Sequence, residues 1–362
     1  MPNSSLNFQQ AAWKRLKKNR GAVFGLITIC IFVLIAIFAY WLAPDGSPYA
    51  NRIILEVGGE KPGHAQGFIK LKKDKDVKYP GVLNQLIAGR EDPYYYVPVN
   101  SYLATQDSII TDKFIDEGVS EKISYAKTQL ADKPYTKNHF FLGTDHYGRD
   151  ILSRLILGTR VSLSVGLITV LISLSIGLIL GSMAGYFRGR TDNIIMWLIN
   201  VIWSIPTLLL VFAITLALGK GFWQVFIAVG LTMWVNVARL VRGQVMALRE
   251  LEYVEAAKAM GFSHARIIVR HIWPNIMGPV MVIAASNFAS AIVIEAGLSF
   301  LGVGVQPPQP SWGLMIKENY NFIITNNPML ALAPGFAIML LVLAFNLLGN
   351  GLRDALNVRG RV

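Results

Sequence analysis

Few side chains in this 362-residue sequence have the types and spacing that bond-making chemistry needs. Asp145, His146 and Asp150, with His139 nearby, are metal-ligand residue types, but their spacing follows no ligand pattern. Ser162, Ser173 and Ser175 sit in an apolar run that offers no histidine to take their protons, which argues against nucleophilic hydrolysis. No G-x-x-x-x-G-K-S/T run occurs, so any nucleotide hydrolysis linked to this chain belongs to another polypeptide. Glu295 is the clear acid deep in an apolar run, where an ionised carboxylate is expensive unless it is paired or wetted. Two roles stay open for it: lining or gating a polar pathway, or partnering a backbone donor or an arginine.

The elements around these residues are apolar. With 53% hydrophobic and 15% charged residues, the composition excludes an ordinary soluble domain. Apolar stretches near 21–43, 161–185, 194–218, 222–243, 277–301 and 329–352 are long enough to cross a bilayer as helices, which predicts six spans. The net charge of +12 does not point to nucleic acid, because the basic residues flank spans. Lys14, Arg15, Lys17, Lys18 and Arg20 precede the first span, and Arg188 and Arg190 follow the second. Arg239, Arg242, Arg249, Lys258, Arg266 and Arg270 surround the loop after the fourth, and Arg353, Arg359 and Arg361 end the chain. The opposite loops offer Lys220 and Lys317, so the positive-inside rule predicts both termini in the cytoplasm. The first span is too long for a secretory signal and is expected to remain as an anchor; Cys30 within it implies no disulfide.

This pattern divides the chain into an amphipathic segment (1–20, with Phe8, Trp13 and Leu16), a first span (21–43), an extracytoplasmic block (44–158), a five-helix core (159–352) and a tail (353–362). Between Asp45 and Arg160 lie 16 basic and 15 acidic residues, so the external block does not trap one sign of ligand. It reads as a small α+β insert: strands over Arg52–Val57 and Gly67–Leu71, helices over Gly81–Ala88 and Ser120–Leu130, and Tyr94, Tyr95 and Tyr96 packing in a core or facing a partner. Gly177, Gly181 and Gly185 at four-residue spacing predict a stripe of close helix packing. Pro206 and Pro334 should bend the third and sixth spans.

The loop at 244–276 carries the most specific pattern. Glu255-Ala256-Ala257-Lys258-Ala259-Met260-Gly261 predicts a short helix with a small-residue face, ended by a left-handed glycine. Ser263 is placed to cap a second helix, and Pro274 precedes the fifth span. Two short helices meeting at a sharp angle would project from the membrane as a knob.

This loop resembles the EAA loop of ABC-type import permeases, with Glu255, Ala256, Ala257, Gly261 and Pro274 on the motif's positions; Trp273 departs from the pattern. Leu142-Gly143-Thr144-Asp145 with Gly148-Arg149-Asp150, and then Ser153-Arg154-Leu155, resembles the segment before the second span in the C-type subunit of dipeptide and oligopeptide importers. Glu295-Ala296-Gly297-Leu298-Ser299-Phe300-Leu301-Gly302, continuing through Pro307, Pro308, Trp312 and Gly313, resembles the end of that family's fifth span and the loop after it. The resemblance implies an all-α membrane protein of six transmembrane helices with a small α+β insert, in a bacterial inner membrane. It implies a transport subunit without catalytic residues or cofactor, whose loop docks a separate ATPase that binds ATP and Mg. The implied partners are a second permease subunit, two ATP-binding-cassette ATPases, an extracytoplasmic substrate-binding protein, membrane lipid and a peptide, with no nucleic acid. Glu295, Pro307, Pro308, Trp312 and Gly313 become pathway or gate candidates at the external mouth. Nickel chelates and glutathione are alternative cargoes within the same resemblance, and an ion-coupled carrier is the rival outside it.

Overall fold

The computed structural model describes residues 8–74, 81–219, 221–324 and 327–356. Residues 4–7, the Phe8 side chain, Lys220 and the tail after Leu356, with Arg359 and Arg361, lie outside the described residues. Helices α1 (Phe8–Lys18), α2 (Arg20–Ile37) and α3 (Ala39–Leu42) lead to β1 (His64–Lys72), α4 (Val82–Ala88) and strands β2 (Tyr94–Ala104), β3 (Ser108–Asp116), β4 (Val119–Ala126) and β5 (Leu130–Phe140). The remaining helices are α5 (Ile151–Phe187), α6 (Gly189–Trp203), α7 (Thr207–Leu218), α8 (Phe222–Leu248), α9 (Glu252–Ala259), α10 (His264–Ile267), α11 (Trp273–Phe300), α12 (Trp312–Asn319) and α13 (Met329–Leu356). The chain divides into two compact units, one of residues 1–32, 162–305 and 338–362, the other of 33–161 and 306–337.

In the first unit the long helices are apolar because the bilayer is their solvent. Among the described residues five helices have the length and composition to cross a membrane: α2, α5, α8, α13, and α10 joined to α11 through a π-helical turn at Ile268–Ile272. A sixth span counts α6 and α7 together, yet they meet at 92°. The bend expected at Pro206 is therefore a full break over residues 204–206, with Pro206 capping α7 where its missing N–H costs nothing. Pro334 and Pro279 lie inside α13 and α11, which continue through them.

Backbone approach sets the helix packing. A Cβ added at Gly177 would sit 2.5 Å from the Val237 Cβ, at Gly181 2.5 Å from the Ala238 carbonyl oxygen, and at Gly185 2.6 Å from the Arg242 carbonyl oxygen. The glycine stripe of α5 is thus where α8 lies almost backbone to backbone. Arg242 on α8 holds Asp192 on α6 through a bidentate pair at 2.5 and 2.7 Å. In α1 Leu16 is buried against Ala22 and Ala355, whereas Trp13 is exposed with Lys17 5.2 Å above its ring. Asn19 then caps α2 by accepting the Ala22 N–H at 3.1 Å.

The second unit contains a five-stranded antiparallel sheet in the order β4-β3-β2-β1-β5. Interior strand β1, between β2 and β5, is covered on both faces. Phe68 packs with Ile54, Val57 and Phe140, while adjacent Ile69 packs with Val99, Ile109 and Leu130. Two expectations for the insert fail. Arg52–Val57 forms no strand but ends in a 3-10 turn at Leu55–Val57, which tucks Val57 beneath the sheet. Ser120–Leu130 is mostly edge strand β4, where Val119, Glu121, Ile123 and Tyr125 alternate with smaller or polar residues at the two-residue period of a strand. Tyr95 is exposed and Tyr96 half-buried beneath Arg52, whose guanidinium lies 4.2 Å from the ring centroid. Burial pushes the Tyr96 hydroxyl up to about 12.

Candidate functional site

The loop between α8 and α11 forms its knob through backbone capping. Helix α9 ends in two reverse bonds, from Phe262 N–H to the Ala257 carbonyl at 3.2 Å and from Gly261 N–H to the Lys258 carbonyl at 2.9 Å. Gly261 has φ +74°, and an added Cβ there would meet nothing within 4 Å, so backbone conformation alone requires glycine. Ser263 caps the next turn by accepting the Arg266 N–H at 3.4 Å. That turn does not form a separate helix; it runs through the π-helical residues into α11, with Pro274 exposed in the first turn.

The residues of the motif divide by face. Val254 and Ala257 are buried with Val241, Val245, Ile267 and Ile272, while Glu255 and Ala256 face out, together with Met260. The outer face thus sets the small Ala256 beside the charged Glu255 and the long Met260. Trp273, which departs from the motif, donates its indole N–H to the Ser182 hydroxyl of α5 at 2.9 Å and so anchors the start of α11.

A cavity of about 820 Å³ opens in the same unit, among α6, α7, α8, α11 and α13. Its polar wall includes Asn236, Arg239, Ser286, Asn287, Ser290 and Asn346; Leu210, Ile283 and Val293 belong to its apolar wall. The sequence contained a signal for it, since Asn236, Asn287 and Asn346 each lie inside an apolar run, where a polar side chain seeks protein or water. Glu295 is not among the lining residues. It is fully buried and accepts the Ser299 hydroxyl at 2.6 Å, and that hydroxyl in turn accepts the Val305 N–H at 3.0 Å, so the carboxylate braces the turn after α11.

In the second unit, Trp312 is fully buried and donates to the Leu155 carbonyl at 3.0 Å. A Cβ on Gly158 would meet that indole at 2.7 Å. Gly313 is buried in the first turn of α12. Pro307 and Pro308 are joined by a cis peptide bond, and Pro308 borders a groove shared with Tyr49, Arg52, Tyr94 and Tyr95. Trp312 and Gly313 thus form the packed first turn of α12, whereas Pro307 and Pro308 before it are exposed.

Around this entry lies a buried charge network. Asp145 accepts from Arg149 Nε at 2.6 Å and from the backbone N–H groups of Tyr147 and Arg149 at 2.9 and 3.0 Å. Glu318 accepts from Arg149 at 2.8 Å and from Arg154 at 3.2 Å. Gly148, with φ +72°, permits the turn; a Cβ there would overlap the Ile54 carbonyl oxygen at 1.7 Å. Burial pushes the Asp150 carboxyl up, and hydrogen bonds from Ser153 pull it partly back.

Comparison with known proteins fits this arrangement. Residues 177–362 match the family model described as binding-protein-dependent transport system inner membrane component, and residues 7–54 match the N-terminal TM domain of oligopeptide transport permease C. The oligopeptide transport system permease protein OppC of Bacillus subtilis (strain 168) is 40% identical over 66% of this chain and 79% of its own. A glutathione transport system permease protein, GsiD of Pectobacterium atrosepticum, is 43% identical over 60% of this chain and 72% of its own. The dipeptide transport system permease protein DppC of Lactococcus lactis subsp. cremoris (strain MG1363) is 31% identical over 98% of this chain and 92% of its own, an alignment long enough to include the insert. The chain belongs to the inner-membrane permease components of binding-protein-dependent ABC importers, in the permease C group. Its relatives are transport subunits, and it is a multi-pass membrane protein.

Proposed function

We propose that this chain is one of two permease subunits through which an ATP-driven importer passes dipeptides or oligopeptides. The observation that carries the proposal is the capped knob at 252–272, with Glu255 and Ala256 outward and Ala257 inward, between two spans of a permease-family chain. A knob of this kind fits a groove on a separate ATPase, and its rigid junction to α11 carries movement of the ATPase pair into the membrane. In this reading both termini and the knob are cytoplasmic, as the flanking basic residues require. The sheet of the insert faces outward, where an extracytoplasmic binding protein delivers cargo. ATP and Mg are held by the partner ATPases, and Glu295, Trp312 and Gly313 keep the outer ends of their helices in register. The peptide assignment draws on the names of relatives and on a cavity wall that mixes amide and hydroxyl groups with apolar surface. Glutathione is the second reading, favoured by the 43% identity to a permease named for it.

Purification of the tagged chain in gentle detergent tests this proposal. The expected result is co-purification of an ATP-binding-cassette subunit and a second permease, with ATP hydrolysis stimulated by peptide-loaded binding protein. Stimulation by glutathione alone would reassign the cargo. Recovery of a lone chain that transports on an ion gradient would overturn the class of mechanism.

A further inference from the structure

The cavity contains a cation with no counter-ion among the described residues. Among the described residues that line it, Arg239 is the one charged side chain. It lies on α8 nine residues before the helix end at Leu248, about 13 Å along the axis at 1.5 Å per residue. Arg242, three residues on, is neutralised by Asp192, and Arg188 by Glu250. Arg239 has no carboxylate within 4 Å among the described residues. Its guanidinium lies 3.5 Å from the centroid of Trp203, at the end of α6 where the third span breaks, and one amine donates to the Asn200 side chain at 3.3 Å. Stacking on an indole fixes the plane of the fork and leaves donors available for a planar acceptor.

A second group in the same wall lacks a partner. Asn287 is 4% exposed, and its buried Nδ2 donates to nothing among the described residues. An amide donor buried without an acceptor is unfavourable unless something else satisfies it. The cavity thus offers one positive charge and an unused donor, with no acidic residue in its described lining.

The geometry points to a carboxylate subsite in the transport cavity, with Arg239 held by Trp203 as the charge and Asn287 as an added donor, for the C-terminal carboxylate of a peptide in transit. The inference rests on the peptide reading above and extends it to a named atom of the cargo. A free C-terminal carboxylate is common to linear peptides of any sequence. A site that reads this group, beside an apolar wall that takes varied side chains, accepts many sequences while giving each the same orientation. A single cation exposed to a wet cavity holds the anion weakly enough to release it, as passage requires.

The test uses the complete complex, with binding protein, in proteoliposomes. Uptake of one tripeptide is compared with uptake of its C-terminal amide, each normalised to occupancy of the binding protein measured separately. The wild type is expected to favour the acid by about tenfold, the scale of one hydrogen bond to a charged group. Arg239→Gln should reduce that preference to about twofold or less, and Arg239→Lys, which keeps charge without the fork, should fall between. If Arg239→Gln slows acid and amide alike and leaves their ratio unchanged, the subsite is refuted while the peptide reading stands. If Arg239→Gln fails to assemble, Asn287→Ala provides the measurement: a reduced acid-to-amide ratio supports the subsite, and an unchanged one refutes it. A wild-type complex that carries neither compound overturns the peptide reading itself.

Discussion

Replacing Gly261 separates the conformation of the knob from its packing. The residue sits at φ +74° with open space around its missing side chain, so Gly261→Ala creates no clash and the cost is purely that of a left-handed residue. That cost is about 1–2 kcal/mol, and a β-branched Val costs more because its second γ-carbon crowds the same backbone. At the knob the energy acts locally, against the two reverse bonds from Phe262 and Gly261 that close α9. A penalty of this size reduces the population of the closed cap by roughly 5- to 30-fold relative to frayed alternatives. The angle between α9 and the turn at 264–267 is then no longer fixed, although Val254 and Ala257 stay in their cluster. In the reconstituted complex, Gly261→Ala should lower transport per ATP hydrolysed by several-fold, and Gly261→Val should lower it further. Gly243→Ala on α8 is the matched control, because Gly243 also has open space but sits inside a helix, where alanine gains about 1 kcal/mol. Normal assembly of Gly261→Val with native coupling would refute both the cap argument and the role given to the loop.

Three further outcomes follow from the packing. Gly181→Ala places a methyl 2.5 Å from a backbone oxygen that has no rotamer to change, so α5 and α8 must part; a loss of about 1–3 kcal/mol should appear as a lower melting temperature in detergent. Glu318→Gln leaves Arg149 and Arg154 buried with Asp145 as their remaining anion among the described residues, and about 3 kcal/mol of stability should be lost, read in the same assay. Burial raises the Asp150 carboxyl above 3.8, so its contribution to stability is full below that pH and is lost as pH climbs through the raised value. Asp150→Asn cannot ionise; the difference in melting temperature, variant minus wild type, should therefore grow as pH rises, and a constant difference would contradict the burial argument.

The parts of this molecule that were legible in its sequence are those governed by one dominant force. Hydrocarbon demands long apolar runs, so each expected span falls on a helix or helix pair, although the helices at Ile151 and His264 begin ten or more residues earlier, and the left-handed turn at Gly261 follows from a glycine ending a small-residue helix. The break in the third span was harder to see, because a proline bends or breaks a helix according to what its neighbours supply, and Ser204 and Ile205 carry no separate warning. The insert was the least legible region. Its segment Ser120–Leu130 has the serine and the Glu121–Lys122 pair of a plausible helix start, and only pairing with β3 decides for a strand. By charge alone Arg239 groups with the basic residues around the loop. Its place against Trp203 depends on the fold of α6, which no local pattern encodes.

The glycine contacts between α5 and α8 also have a mechanical consequence. Where main chain meets main chain, no side chain can swing aside to let the helices slide, and resistance rises within tenths of an ångström. The pair therefore turns as one beam, and a transport cycle must take up its strain at a softer joint. Within this unit, residues 204–206 offer one: the third span has already given up helical hydrogen bonds there, so a change of angle between α6 and α7 would break little that is not already broken.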